Sequence, residues 1–479
     1  MLFNSFEFAI FLPIVFCLYW FASFNNLKIQ NLILLLSSYF FYGWWDWRFL
    51  ILLAFSSFSN YIIGIAINKS SNKANRKFLL STSILLNIGL LTFFKYINFF
   101  VQNFQTAFKF MGQPVTDPIV IDLILPVGIS FYTFQALSYS IDIYRGKIQP
   151  TKDIVAFFVF VCFFPQLVAG PIERAAHLLP QFHQNKTFIY GHATDGLRQI
   201  LWGLFTKIVI ADTCAIYVNN IFANYHIYSG STLLIGAMLF AFQIYGDFSG
   251  YSDIAIGTSR LFGYNLKRNF TFPYFSCDIV RFWNRWHISL SSWFRDYVYI
   301  PLGGSRCSNV LIVRNIFIVF IVSGFWHGAN WTFIAWGTLH AIYYLTFQML
   351  IKNTKNIETV DKLQYLPSIT ECFQMGVTFF FVSIAWVFFR SETISKAIAY
   401  IAEIFSLSLF SEAEVFPKRI ILLIILFVLV EWIQRRRQFV LDLSKTQMPI
   451  WSRWGIYYFI LFMIWQLGAK QQEFIYFQF

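Results

Sequence analysis

The chain has 479 residues, of which 57% are hydrophobic, 21% aromatic and only 12% charged, with a formal net charge of +13. A domain whose whole surface faces water carries about one quarter charged residues, so this composition excludes an ordinary soluble protein. In so apolar a chain the positive balance points to lysines and arginines gathered in cytoplasmic loops and at anionic headgroups, and away from nucleic-acid binding.

Apolar runs approaching the roughly 20 residues that a spanning helix needs recur along the chain. They cover 8–24, 32–45, 49–67, 78–100, 119–143, 154–170, 197–218, 233–248, 310–326, 331–350, 373–389, 420–432 and 456–467. Several are short, so roughly 11 to 13 membrane helices are expected, some tilted or only partly inserted. The expected fold is all-α, one membrane domain over 1–479, without repeats or a soluble domain. Glu7 stands early, with no basic leader and no small-residue cleavage site, so 8–24 reads as a retained span. Cys17, Cys162, Cys214, Cys277, Cys307 and Cys372 form no CxxC pair and no metal-ligand spacing, and they read as small hydrophobes.

Basic residues in short loops orient the chain. Lys69, Lys73, Arg76 and Lys77 follow the third run, Arg145, Lys147 and Lys152 the fifth, and Arg435, Arg436 and Arg437 the twelfth. Placing these clusters in the cytoplasm puts the N-terminus outside. The loop with Glu412 and Glu414 fits the same outer side.

Residues 251–309 break the pattern of spans and short loops. Their core, RFWNRWHISLSSWFRDYVYIPLGGSR, interleaves Trp283, Trp286 and Trp293 with Arg281, Arg285, Arg295 and Arg306. An amphipathic helix at headgroup depth would have this composition, and so would a re-entrant segment lining a site.

Among seven histidines, His177, His183, His192 and His226 lie in polar loop sequence and read as surface residues. His340, in an apolar run, reads as a helix-packing residue. His327 stands in VSGFWHGANW between two apolar runs. An ionisable side chain at membrane depth is expensive to bury, and a neutral imidazole can accept a hydroxyl proton near working pH. Catalysis and the capping of a helix end explain His327 about equally well on physical grounds. On the same grounds His287 reads as a surface residue bonded to a headgroup. Asp247 and Asp253 in YGDFSGYSDIAIG are candidate ion ligands or structural acids, the structural reading being favoured. No GxSxG elbow, P-loop or HExxH is present.

Six segments together are informative: LPVGISFYTFQALSYSIDIYRG (125–146), FFPQLVAGPIERAAHLLPQF (163–182), YGDFSGYSDIAIG (245–257), RFWNRWHISLSSWFRDYVYIPLGG (281–304), GFWHGANWTFIAWGTLHA (324–341) and AWVFFR (385–390). In this order they resemble membrane-bound O-acyltransferases, most closely the bacterial alginate O-acetyltransferase branch, and the ending FIYFQF (474–479) is similar too. The resemblance implies a ring of tilted helices around a funnel, with a re-entrant segment at about 251–309 and the catalytic-histidine segment at about 310–350. It implies that His327 is catalytic and that His287 lines the same tunnel. The donor would be a cytoplasmic thioester, most simply acetyl-CoA, with no bound cofactor. Its phosphates would meet Arg281, Arg285 and Arg295, and Asn330 or a backbone amide would face the oxyanion.

The expected activity is acetyl transfer for O-acetylation of an extracytoplasmic polysaccharide such as alginate, cellulose or peptidoglycan. It would take place in a bacterial inner membrane, with a periplasmic or surface esterase-like partner. D-alanyl transfer to teichoic acid is an alternative on the same scaffold. A transporter without covalent chemistry, using Asp247 and Asp253, is another.

Overall fold

The computed structural model describes residues 1–23, 25–112, 121–351, 366–443, 446 and 448–475. Every regular element among these residues is a helix. Each apolar run overlaps helical structure, although residue 24 of the first run and residues 119 and 120 of the fifth lie outside the described residues. Among the described residues, six helical stretches are long and apolar enough to cross a bilayer: Phe49–Lys69, Lys73–Phe110, Tyr190–Ala223, Gly230–Leu261, Asn309–His327 and Ile369–Arg390. The larger expected number also counts shorter runs.

The chain folds as two compact units. The first comprises residues 1–193 together with 258–267, and the second comprises 194–257 with 268–479. The first unit is built from α1 (Phe6–Cys17), α2 (Leu27–Gly43), α3 (Phe49–Lys69), α4 (Lys73–Leu91), α5 (Ile97–Phe110), α6 (Ile129–Tyr144) and α7 (Ile154–Cys162). Side-chain oxygens start several of these helices: Ser5, Asn26, Asn72 and Asp153 each accept a backbone N–H of the first turn. α6 begins later than its apolar run because Gly128 takes a left-handed turn at φ +76° after Pro126. The sixth run is split at Phe163, and Pro165 opens the short turn Phe164–Leu167.

α3, α4 and α6 are joined by a buried polar network in place of a purely apolar seam. Ser83 Oγ donates to Asn60 Oδ1 at 2.9 Å, and Asn87 Nδ2 donates to the same oxygen at 3.0 Å. Such bonds hold membrane helices together where lipid offers no competing partner. Residues 258–267 complete this unit from far along the chain. Tyr264 packs on Phe163 and Phe182 with ring centroids at 5.2 and 4.7 Å, and Trp20 Nε1 donates to the Leu261 carbonyl at 2.9 Å.

The second unit contains α8 (Tyr190–Phe205) from residue 194, α9 (Asp212–Ala223), α10 (Gly230–Leu261) as far as residue 257, α11 (Ile279–Arg285), α12 (Ile288–Phe294), α13 (Asn309–His327), α14 (Trp331–Ile351), α15 (Ile369–Arg390), α16 (Ile394–Ile404), α17 (Lys418–Gln434) and α18 (Ile450–Leu467). The eighth apolar run ends at 248, yet α10 continues to Leu261, and the polar side chains of this extension, Ser249, Ser252, Thr258 and Ser259, are buried. α8 and α10 touch backbone to backbone. A Cβ on Gly203 would lie 2.6 Å from the Gly250 carbonyl oxygen, and one on Gly250 would lie 2.7 Å from that of Gly203.

The N-terminal end of α10 is held by a loop. Glu414 accepts from Ser229 Oγ at 2.7 Å and from Thr232 Oγ1 at 2.6 Å, and it also accepts the Ser229 backbone N–H. Burial raises its pKa, but the bonds from Thr232 and Ser229 outweigh burial and hold the carboxyl at about 2. The depressed value makes this a contribution present in full above the ordinary glutamate range of about 4.3 and lost as pH falls through about 2. Glu414→Gln should therefore melt below wild type at pH 6. Thermal scans at falling pH are expected to show that gap narrowing only below about pH 4.3.

Candidate active site

The segment 278–294 folds as helix, break and helix. Asp278 Oδ1 accepts the Arg281 N–H at 2.7 Å and starts α11. Trp286 is extended, and His287 takes the left-handed conformation at φ 44°, ψ 52° before α12 begins. A non-glycine residue there costs roughly 1 to 2 kcal/mol and persists only where its surroundings fix it. Asn269 supplies much of that fixing. Its carbonyl accepts Ile288 N–H at 2.9 Å, its Oδ1 accepts Ser289 Oγ–H at 2.6 Å, and its Nδ2 donates to Ser252 Oγ at 2.9 Å.

Of the two architectures the composition allows for this segment, the arrangement excludes the surface amphipathic helix, and with it the surface position read for His287. Trp283, Trp286, His287 and Trp293 are all buried, His287 completely. The tryptophans are core residues, and only part of the arginine set reaches the outside. Phe248 meets the His287 ring edge-on with centroids 4.6 Å apart.

His327 is the last residue of α13 and is 3% exposed. Its position follows from the α13–α14 hairpin, whose backbones touch at two glycines. A Cβ on Gly324 would overlap the Phe333 carbonyl, and one on Gly337 would overlap the Phe320 carbonyl. The His327 ring lies in an aromatic box, 4.9 Å from Trp326, 5.3 Å from Trp336 and 5.4 Å from Phe389. Trp336 in turn stacks on Trp386 at 5.4 Å.

The two histidines, forty positions apart in sequence, meet with ring centroids 6.1 Å apart. An oxygen bonded to a ring nitrogen at about 2.8 Å lies about 4 Å from that ring's centroid. By distance alone, the 6.1 Å spacing is short enough for one oxygen to lie within hydrogen-bond reach of both rings. His340 stays a packing residue one turn beyond Trp336, its Nδ1 accepting from Trp283 Nε1 at 3.3 Å. His177, expected on the surface, is half buried and pairs with Glu173 at 2.7 Å.

The arginines expected to meet a donor hold different local partners. Arg281 Nε pairs with Asp278 at 3.2 Å, Arg295 Nε pairs with Asp296 at 3.0 Å, and Arg285 Nη1 donates to the Phe275 carbonyl at 3.4 Å. Asn330 Nδ2 donates to the Glu392 carbonyl at 2.8 Å, and its Oδ1 accepts Thr332 N–H at 3.1 Å. Asp247 and Asp253 are six residues apart on one helix, about 9 Å along its axis and on different faces. Asp247 pairs with Lys207 at 2.6 Å, and Asp253 accepts from Gln199 at 2.7 Å. Held in separate clusters, they do not make a joint cation site.

The family model for membrane-bound O-acyltransferases matches residues 144–388. The chain belongs to this family. It is thus an acyltransferase and a multi-pass membrane protein, and the matched region includes both histidines. Among similar proteins, the probable alginate O-acetylase AlgI of Pseudomonas syringae pv. tomato is 39% identical over 83% of this chain and 74% of its own length. The peptidoglycan O-acetyltransferase of Helicobacter pylori is 36% identical over 83% of this chain and 78% of its own. The teichoic acid D-alanyltransferase of Bacillus subtilis is more distant, 28% identical over 59% of this chain and 73% of its own. Sequence reasoning named both histidines but missed their supports, Asn269, Phe248, Trp336 and Phe389. Each is an ordinary-looking residue whose importance appears only once the helices cross.

Proposed function

We propose that this acyltransferase takes an acetyl group from a cytoplasmic thioester, most simply acetyl-CoA, and passes it across a bacterial inner membrane for O-acetylation of an extracytoplasmic polysaccharide. The observation that carries the reading is the buried pair His287 and His327, 6.1 Å apart within an aromatic enclosure. His327 is the general base. It takes the proton of the acceptor hydroxyl as the oxygen attacks the thioester carbonyl carbon. The carbon–sulfur bond then breaks, and the imidazolium returns its proton to the leaving thiolate. His287, fixed by its strained backbone, orients the carbonyl or the acceptor from the other side. The aromatic box keeps out water that would otherwise hydrolyse the thioester.

Arg281, Arg285 and Arg295 are assigned to the donor's phosphates on the cytoplasmic side, with the N-terminus on the opposite side. Single-domain behaviour over 1–479 and a periplasmic esterase-like partner that places the acetyl on the polymer belong to the same reading. The names of the alginate and peptidoglycan relatives support acetyl over D-alanyl as the group moved.

The test is the ester content of surface polymers in a strain lacking the gene, with and without the wild-type copy. Loss of O-acetyl that the copy restores is expected. Unchanged acetyl with lost D-alanyl ester would overturn the donor class, and no change in either would overturn the function.

A further inference from the structure

Lys207 is a buried cation that the proposed chemistry does not use. It sits in a π-turn, Thr206–Ala211, between α8 and α9, and the tight glycine crossing of α8 on α10 brings it to Asp247. Its Nζ pairs with Asp212 at 2.7 Å and with Asp247 at 2.6 Å, and all three side chains are almost wholly buried. Burying three charged groups in a membrane protein is costly, and an apolar cluster of equal volume would hold the helices as well. π-turns, moreover, are frequent at functional positions.

The cluster grips one stretch of chain. Past the turn, Ala469 N–H donates to the Ile208 carbonyl, Lys207 Nζ donates to the Gln472 carbonyl at 3.4 Å, and Ile475 N–H donates to Asp247 Oδ2 at 2.7 Å. Phe474 and Ile475 are buried. The Phe474 ring lies 4.6 Å from Tyr251 and 6.4 Å from Phe248, the residue whose ring meets His287.

We infer that Lys207, Asp212 and Asp247 form a latch that pins residues 469–475 as the wall behind Phe248, and that Lys207 and Asp247 are positioning residues for His287. The inference rests on the acetyl-transfer reading for its consequence in turnover, but the latch itself is tested without it. Hydrogen exchange of the 468–475 peptide in the purified full chain reports the amide held by Asp247. In Asp247→Ala and Lys207→Met that exchange should accelerate at least tenfold. Lys207→Arg, which keeps the cation, should restore most of the protection.

Thiol release from acetyl-CoA by the same proteins should show kcat lowered about 10- to 100-fold with the donor KM within twofold, because a displaced histidine harms the chemical step and not donor binding. A general loss of folding would instead accelerate exchange throughout α10 and α13. Unchanged exchange at 468–475 overturns the latch. Faster exchange there with wild-type kcat overturns the positioning role. If wild type itself releases no thiol, the acetyl-CoA reading fails while the exchange result still judges the latch.

Discussion

His327→Ala, present in the membrane at the wild-type level, is expected to abolish O-acetylation of the surface polysaccharide. A positioned general base contributes about 100- to 10,000-fold, or about 3 to 5 kcal/mol of transition-state stabilisation. The aromatic rings packed around it cannot take over that role. The other faces of its ring meet Trp326, Trp336 and Phe389, none of which accepts a proton. His287, 6.1 Å away, is held by its own backbone conformation and its contact with Phe248. His226→Ala, on an exposed side chain, is the control and should leave acetylation at the wild-type level. Acetylation that survives His327→Ala would sink the mechanism.

Gly337→Leu is expected to remove the folded protein altogether. Gly337 faces the Phe320 carbonyl across the α13–α14 crossing, with the Gly324 Cα beyond it, so even a methyl group has no space. Backbone cannot rotate aside as a side chain can. The helices must separate, which releases the Trp336–Trp386 stack and the box around His327. Overpacking a dense interior costs typically 1 to 3 kcal/mol, and a backbone clash exceeds that range. Detergent-extracted protein should be aggregated by size-exclusion chromatography. Gly376→Ala in α15 is the contrast, because a Cβ there meets nothing within 4 Å. It should be neutral or stabilising by about 0.5 to 1 kcal/mol. Equal behaviour of the two variants would refute the crossing as the feature that sets the His327 site.

The sequence exposed the helices and the two histidines for different reasons. Apolar runs mark helices directly, and their edges failed only where local chemistry intervened. Gly128 and Pro126 delay α6, and α10 continues beyond its apolar run with buried polar side chains. His327 was visible because an ionisable residue between two apolar runs is rare on energetic grounds alone. His287 looked superficial because three tryptophans and four arginines imitate a headgroup-level helix. Its burial depends on a left-handed backbone residue and on Asn269, neither of which has a periodic signature. Lys207 was invisible for a related reason. Its distant partners, Asp247 and the Gln472 carbonyl, come close only through the glycine crossing and the path of residues 469–475, and spacing along the chain encodes neither.

The stretch 258–267, which belongs with residues 1–193, has a bearing on how the protein is made. Tyr19, Trp20, Phe163, Phe182 and Glu173 all wait for partners in that stretch: Tyr264, Leu261 and the Lys267 N–H. On the ribosome these partners emerge only after α8, α9 and most of α10 have been translated, on the order of ten seconds later at 5–20 residues per second. During that interval the nascent N-terminal helices sit in the bilayer with aromatic docking sites unfilled. A gene fragment ending near residue 193 would stop permanently at that stage and is the natural substrate for membrane quality-control proteases.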